Sequence, residues 1–240
     1  MENTFQYRCT VLPSMTDHNA RLSLKAMMNL FMDAATIHAS LLKVGAADIL
    51  PRGLFWLTTK TMVVVERYPK LMEQLTVTTW PLRPEGQRCY RDYTLSCGDE
   101  IVARAKTLWV AWNIAANAIQ SVDGLFPSEL VFRDDDCCPG DFRIIDHQFA
   151  PDQLIGRHTV TSGDIDLGRH VNNVAYVSNL LNCFSTFQLD EMKIRSFEIN
   201  YLTPCTEGET LSFYKREKDG GLELTALKEN GRNAILVRIN

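Results

Sequence analysis

The sequence predicts an α+β protein of two tandem units, each an antiparallel sheet wrapped around one long helix. Three observations predict it. A polar turn followed by an apolar-striped helix occurs once in each half of the 240 residues. Several extended runs follow each helix. Glycine-containing turns at hairpin spacing, such as residues 219–221 and 230–231, favour antiparallel pairing. Because each unit alone would expose sheet edges, we expect the two sheets to join as an internal pseudo-dimer.

In the first half, a polar turn at residues 14–22 leads into apolar residues that recur with helical period from Leu24 onwards. Ser23 is expected to cap this helix and Gly45 to end it. The extended runs that follow predict four strands, at residues 54–65, 75–80, 89–96 and 101–112.

In the second half, a strand-like segment at residues 157–162 precedes a polar turn at residues 164–173. A single helix is expected over residues 174–189, because its apolar residues form one stripe. Four more strands are predicted, at residues 194–201, 210–216, 222–227 and 234–239.

Between the halves, residues 114–157 contain three prolines and an Asp triplet with little periodicity, which is typical of a connection between units. We place the boundary near residue 150. The N-terminal unit and linker then comprise residues 1–150, and the C-terminal unit comprises residues 151–240.

Composition narrows the classes of function. A net charge of −4 gives no overall attraction for nucleic acid or for an anionic membrane. No apolar stretch reaches the roughly 18 residues of a membrane helix, and the start of the chain lacks the apolar centre of a signal peptide, so we expect a cytoplasmic protein. Seven scattered cysteines are expected to be reduced thiols, and no spacing indicates a metal site or a cofactor.

The densest polar cluster lies in the second turn. Asp166 can accept a proton or orient a water, and the imidazole of His170 can accept or donate a proton. The N-terminus of the following helix can stabilise an oxyanion, and Asn172 or Asn173 can add a side-chain donor. The alternative is that these residues are ordinary caps and turn formers.

Residues 164–176 resemble the active-site segment of the acyl-acyl-carrier-protein thioesterases, most specifically in the run His170-Val171-Asn172-Asn173 followed by Tyr176. Further similar pieces are residues 32–40, 79–81 and 200–202. The resemblance implies two tandem hotdog units, the first holding the acyl chain and the second catalytic. It also implies a fatty acyl carrier protein as partner and hydrolysis of its phosphopantetheine thioester.

In that family the pattern is Asp-x-Asn-x-His, followed by a Glu and often a Cys on a later strand. The resemblance therefore implies catalytic roles for Asp166 and His170. Gly168 stands at the family's Asn, and Pro204 stands at its Glu, with Cys205 retained beside it. Single-unit acyl-CoA thioesterases of the same fold also lack the Asn. Asp166, as base or nucleophile, is then expected to carry more of the work.

The candidate catalytic residues are thus Asp166, His170, Asn172 and Cys205. Cys205 is either a nucleophile with His170 as its base or a packing residue. The alternative functions are an acyl-CoA thioesterase and a noncatalytic acyl-binding protein, and a homodimer is left open. Two sets of basic residues are candidates for meeting an acidic carrier: Arg83, Arg88 and Arg91, or Arg157, Arg169, Lys193 and Arg195.

Overall fold

The computed structural model describes residues 3–138 and 140–240. The chain divides into two compact units, with the division between Gly140 and Asp141. In the described part of the chain, no helix is long and apolar enough to cross a membrane.

The first unit is an antiparallel sheet with one long helix. Its strands follow the order β1-β3-β4-β5-β2, and β6 pairs with β5. The four predicted strands all occur, but the edge strand β1 and the short β6 were not predicted. The elements are β1 Phe5–Thr10, α1 Leu24–Leu41, α2 Ala46–Ile49, β2 Leu54–Val65, β3 Gln74–Pro81, β4 Cys89–Cys97, β5 Glu100–Asn113 and β6 Ala118–Gln120.

The second unit repeats this plan with the strand order β7-β9-β10-β11-β8, again antiparallel throughout. The four strands predicted after its helical region all occur. The strand-like segment expected at residues 157–162 lies slightly earlier. The elements are β7 Leu154–Thr159, α3 Asn173–Leu181, α4 Thr186–Met192, β8 Ser196–Tyr201, β9 Thr210–Lys218, β10 Gly221–Lys228 and β11 Asn233–Ile239.

Helix α1 begins as predicted and ends earlier than predicted. The Ser23 hydroxyl accepts a hydrogen bond from the N–H of Ala26, which satisfies one of the free donors of the first turn. At the other end, Lys43 adopts the left-handed conformation with a φ of 60° and stops the helix. The prediction that Gly45 ends α1 was wrong, because Gly45 precedes the short α2 as its N-cap.

The single second helix expected over residues 174–189 was also wrong, because α3 and α4 are separate. After Leu181 the chain turns, with the N–H of Cys183 donating to the carbonyl of Leu180 at 3.1 Å. Ser185 then begins a new helix: its hydroxyl accepts from the N–H of Gln188, and its own N–H donates to the Gln188 side chain. This reciprocal capping box begins a second helix within a continuous apolar stripe.

Candidate active site

The predicted reactive turn lies between β7 and α3. An antiparallel bridge between Ile165 and Val171 closes its base. Inside it, the N–H of Asp166 donates to the carbonyl of His170, and the N–H of Arg169 donates to the carbonyl of Asp166, each at 3.0 Å. Arg169 adopts the left-handed conformation, with a φ of 60°. The structure thus brings Asp166 and His170 together on one tight turn.

The side chains of Asp166 and His170 are both exposed. The Oδ1 atom of Asp166 accepts a hydrogen bond from the N–H of Gly168 at 2.7 Å, so one carboxylate oxygen is fixed by the turn itself. Within residues 3–138 and 140–240, no hydrogen bond or ion pair joins the side chains of Asp166 and His170. Both are therefore available to a bound substrate.

Helix α3 begins directly after this turn. The Oδ1 atom of Asn172 caps it by accepting from the N–H of Val174 at 2.8 Å, and the Asn172 carbonyl accepts from the N–H of Ala175 at 2.9 Å. Among the residues that the structure describes, none accepts a hydrogen bond from the N–H of Asn173. The positive end of the helix dipole and this unused donor suit a developing negative charge.

The buried acid of the segment is Asp164, which is 8% exposed, rather than Asp166. Its Oδ2 atom accepts from His158 Nε2 at 2.8 Å and from the backbone N–H and hydroxyl of Thr161 at 2.8 and 3.0 Å. Its Oδ1 atom accepts from Asn179 Nδ2 at 2.9 Å. Burial alone would raise the pKa of Asp164, but these hydrogen bonds outweigh it and lower the pKa, so the carboxylate is ionised.

Cys205 packs beside the turn, inside the unit. Its carbonyl accepts from the N–H of Val171 at 2.9 Å, and the residue is 0% exposed. Burial raises the pKa of the Cys205 thiol, although the neighbouring Tyr176 hydroxyl acts in the opposite direction. A thiol that stays protonated is a poor nucleophile, so these features favour the packing role.

At the two positions that depart from the family pattern, Gly168 and Pro204, the contacts are made by backbone atoms. Gly168 supplies its N–H to Asp166, and no side chain extends from it. The carbonyl of Pro204 accepts a hydrogen bond from Lys228 Nζ at 2.8 Å, and Lys228 also pairs with Glu209 at 2.9 Å.

The first unit contains a turn of the same shape. The N–H of Asp17 donates to the carbonyl of Arg21 at 2.7 Å, and the Oδ1 atom of Asp17 accepts from the N–H of Asn19 at 2.8 Å. Ala20 is left-handed like Arg169, with a φ of 55°. Here the carboxylate is occupied, because Arg21 donates from both Nε and Nη2 to Oδ2 of Asp17.

The interior of the first unit contains adaptable apolar side chains. Met27, Met28 and Phe31 on α1 are buried, and Phe31 packs against the ring of Tyr93 at 5.2 Å between centroids. One basic residue expected at the surface lies inside: Arg91 is 5% exposed and contacts His38 and Thr79. It cannot form part of an exposed basic patch. Four further apolar residues of this unit are half-buried: Met32, Phe55, Trp56 and Leu57.

The sequence places Asp164 in the polar turn but does not indicate the partners that hold it. His158 comes from β7 and Asn179 from α3, and no spacing rule connects them. Within the two described stretches, no group of His, Cys, Asp and Glu side chains is arranged to hold a metal ion.

Two family models match the chain. The acyl-ACP thioesterase N-terminal domain matches residues 2–126, and the acyl-ACP thioesterase C-terminal domain matches residues 150–239. The second match contains the whole segment from β7 to α3.

Relatives carry the same family name. The chain is 27% identical over 235 residues to the chloroplastic acyl-[acyl-carrier-protein] hydrolase FATB3 of Cuphea viscosissima, with 90% of this chain and 57% of that protein covered. It is 25% identical over 217 residues to the chloroplastic palmitoyl-acyl carrier protein thioesterase of Cuphea hookeriana, with 83% and 51% covered. The chain therefore spans about half the length of the curated relatives it matches.

Solved structures share the fold. An acyl-ACP thioesterase from Bacteroides thetaiotaomicron superposes with a TM-score of 0.83 at 20% identity, covering 99% of this chain and 97% of that one. The 12:0-ACP thioesterase from Umbellularia californica gives a TM-score of 0.82 at 20% identity, covering 100% and 97%. The double hotdog fold is thus confirmed, and, with both domain models matched in order, the chain belongs to the acyl-ACP thioesterase family.

Proposed function

We propose that this protein hydrolyses the thioester of a fatty acyl carrier protein, releasing the free fatty acid and the carrier thiol. The observation that carries the proposal is the turn before α3, which presents exposed Asp166 and His170 beside an unused N–H donor. The relatives named above are hydrolases and thioesterases of acyl carrier proteins, which supports the same substrate class.

In this mechanism Asp166 acts as the base. Its Oδ1 atom is held by Gly168, and its second oxygen takes a proton from a water that attacks the thioester carbonyl carbon. When the tetrahedral intermediate collapses, the C–S bond breaks, and His170 protonates the departing thiolate. In the alternative course, Asp166 attacks the carbonyl carbon itself, the C–S bond breaks, and His170 protonates the departing thiolate. Water then hydrolyses the mixed anhydride, which releases the fatty acid and restores the Asp166 carboxylate.

The oxyanion is assigned to the start of α3. The N–H of Asn173 is available there, and the Nδ2 group of Asn172 is a second donor because the cap uses only the Oδ1 atom of that residue. Cys205 is assigned a packing role on the strength of its burial and its raised pKa.

The proposal also gives each unit a separate role. We assign acyl-chain binding to the N-terminal unit with its linker, residues 1–150, and the chemistry to residues 151–240. The Met and Phe side chains on the buried face of α1 are adaptable apolar groups of the kind that line lipid sites.

We propose that the acidic carrier protein binds at the exposed basic residues of the second unit, which are Arg157, Arg169, Lys193 and Arg195.

We place the protein in the cytoplasm, a reducing compartment that suits its seven free cysteines. The relatives' names specify chloroplasts, and fractionation of the source cells separates the two locations. Self-association into a homodimer is tested by sedimentation of the full chain.

A thiol-release assay with purified protein and acyl carrier proteins of short to long chain length tests the activity. We expect turnover by the wild type and a loss of about 10³-fold in kcat for Asp166→Asn. His170→Ala is expected to lose about 10²-fold. Wild-type rates in both variants would contradict the assigned roles.

Two alternatives are distinguished with the same protein. An acyl-CoA thioesterase presents the same phosphopantetheine thioester chemistry, so kcat/KM for one acyl group on both carriers decides between them. A noncatalytic acyl-binding protein would bind lipid without turnover at any chain length.

A further inference from the structure

The buried carboxylate of Asp164 has no task in the reaction as proposed, yet it lies two residues before Asp166. We propose that Asp164 is a positioning residue that fixes the shape of the turn Asp166–His170, acting through His158, Thr161 and Asn179. The role of Asp164 in catalysis rests on the proposed function, whereas its effect on the conformation of the turn does not.

The contacts of Asp164 connect the elements on both sides of the turn. Its carboxylate receives hydrogen bonds from His158 on β7 and from Asn179 on α3. Its carbonyl accepts from the N–H of Asn172, the N-cap of α3, at 2.8 Å, and its own N–H donates to the carbonyl of Thr161 at 3.0 Å. One residue therefore ties the entry and the exit of the turn to the same rigid frame.

The carboxylate needs its charge to do this. Asp164 has four donors aimed at its two oxygens, and three of them converge on Oδ2. An amide in its place would turn an NH₂ group either toward the Asn179 amide or toward the three donors at Oδ2. Depending on the orientation of the amide, one or three of these donors would then lose an acceptor, and the surrounding hydrogen bonds would have to rearrange.

The first unit shows what the turn looks like without this anchor. At the same sequence offsets from each turn, Met15 stands in place of Asp164, Cys9 in place of His158 and Leu30 in place of Asn179. That turn is held instead by the ion pair between Arg21 and Asp17, at 3.0 Å. Among the described residues, no such ion pair holds Asp166 in the second turn, so the side chains of Asp166 and His170 stay accessible to substrate. Asp164 instead holds the backbone of that turn through its own hydrogen bonds.

The test compares wild type with Asp164→Asn by hydrogen–deuterium exchange and by kinetics at a temperature well below unfolding. We expect the segment 161–175 to exchange at least about tenfold faster in the variant, and the matched segment 12–26 to be unchanged. We also expect kcat on acyl carrier protein to fall about 10²-fold with KM nearly constant, because misplacement of reacting groups lowers kcat.

Unchanged exchange over residues 161–175 in a folded variant would overturn the inference, and so would a wild-type kcat. If the wild type turns over no thioester, the proposed function fails, and exchange alone decides the inference. Should Asp164→Asn not fold, Asn179→Leu and Thr161→Val each remove one donor and are expected to show smaller effects of the same kind. The control Asp17→Asn is expected to loosen segment 12–26 and leave kcat unchanged.

Discussion

The two turns at Asp17–Arg21 and Asp166–His170 share a backbone shape and differ in what their side chains do. Both close with an N–H to carbonyl hydrogen bond, hold one carboxylate oxygen with a backbone N–H, and precede a capped helix. In the first, Arg21 neutralises the carboxylate. In the second, His170 leaves it open. A duplicated frame therefore supports a structural turn in one unit and a candidate reactive turn in the other.

The supports beneath the turns also differ. Under the second turn, Asp164 gathers polar donors from β7 and α3, whereas the equivalent positions of the first unit hold Met15, Cys9 and Leu30. A partly exposed ion pair of the Asp17–Arg21 kind contributes about 0.2–1 kcal/mol, and a buried network contributes more only when every member is satisfied. The first turn is thus held by a partly exposed ion pair, and the second by hydrogen bonds around a buried carboxylate.

The largest loss of activity is expected when His170 of the second turn is replaced by arginine, the residue at the equivalent position of the first turn. His170→Arg is expected to lower kcat about 10³-fold, because the guanidinium would pair with Asp166 and the proton donor would be lost. The reciprocal variant Arg21→His serves as the control and is expected to keep kcat within about twofold. Equal losses in the two variants would show that the turns are not functionally distinct.

The caps offer a sharper comparison, because Ser23 and Asn172 occupy equivalent positions. Asn172→Ser keeps a cap and removes the amide donor, while Asn172→Ala removes both. We expect kcat to fall about tenfold to 100-fold in both variants. Only the Ala variant is expected to lose about 1 kcal/mol of unfolding free energy in urea titrations. If Asn172→Ser has the kcat of the wild type, Asn172 acts only as the helix cap and not as an oxyanion donor.

Two buried aspartates, Asp92 in the first unit and Asp164 in the second, have pKa values shifted in opposite directions. Burial raises the pKa of Asp92 on β4 from 3.8 to about 6, despite a hydrogen bond from the N–H of Cys137. The stability that protonated Asp92 contributes is full below about pH 4 and is lost as pH rises through about 6.

Asp92→Asn should therefore gain unfolding free energy relative to wild type as pH rises, approaching about 3 kcal/mol at neutral pH. Urea unfolding at a series of pH values measures the difference. The pKa of Asp164 is lowered instead, so the effect of Asp164→Asn should not vary above about pH 5. A pH-independent difference for Asp92→Asn would contradict its assigned environment.

The smallest effect on activity is expected at Cys205. Cys205→Ala should keep kcat within about threefold and cost about 1–2 kcal/mol of unfolding free energy, because it leaves a small cavity beside Tyr176. Slow labelling of native Cys205 by iodoacetamide would agree with its burial. A loss of kcat as large as that of Asp166→Asn would restore Cys205 as the nucleophile.

Most of the fold was predictable because its signals are local. Each of the eight extended runs coincides with a strand, and turn residues separate them. The break between α3 and α4 was missed because the apolar stripe continues through residues 182–185. The Ser185 and Gln188 pair was a readable capping signal, but it competes with a periodicity that favours one longer helix.

The candidate site was predictable only in part. The polar residues from Asp164 to Asn173 are contiguous, so the sequence located the turn and its neighbouring helix. It did not indicate that Asp164 is buried and Asp166 exposed, because that depends on His158 and Asn179 arriving from two other elements. The sequence did not indicate the burial of Arg91 for the same reason, because its neighbours His38 and Thr79 contact it only in the folded unit.

The central claim is that the second turn carries the chemistry and the first does not. A single-turnover measurement of thiol release from acyl carrier protein by Asp166→Asn and Asp17→Asn, side by side with wild type, tests it most directly. We expect a rate about 10³-fold below wild type for Asp166→Asn and within about twofold of wild type for Asp17→Asn. Equal rates in the two variants, or a wild-type rate in Asp166→Asn, would contradict it.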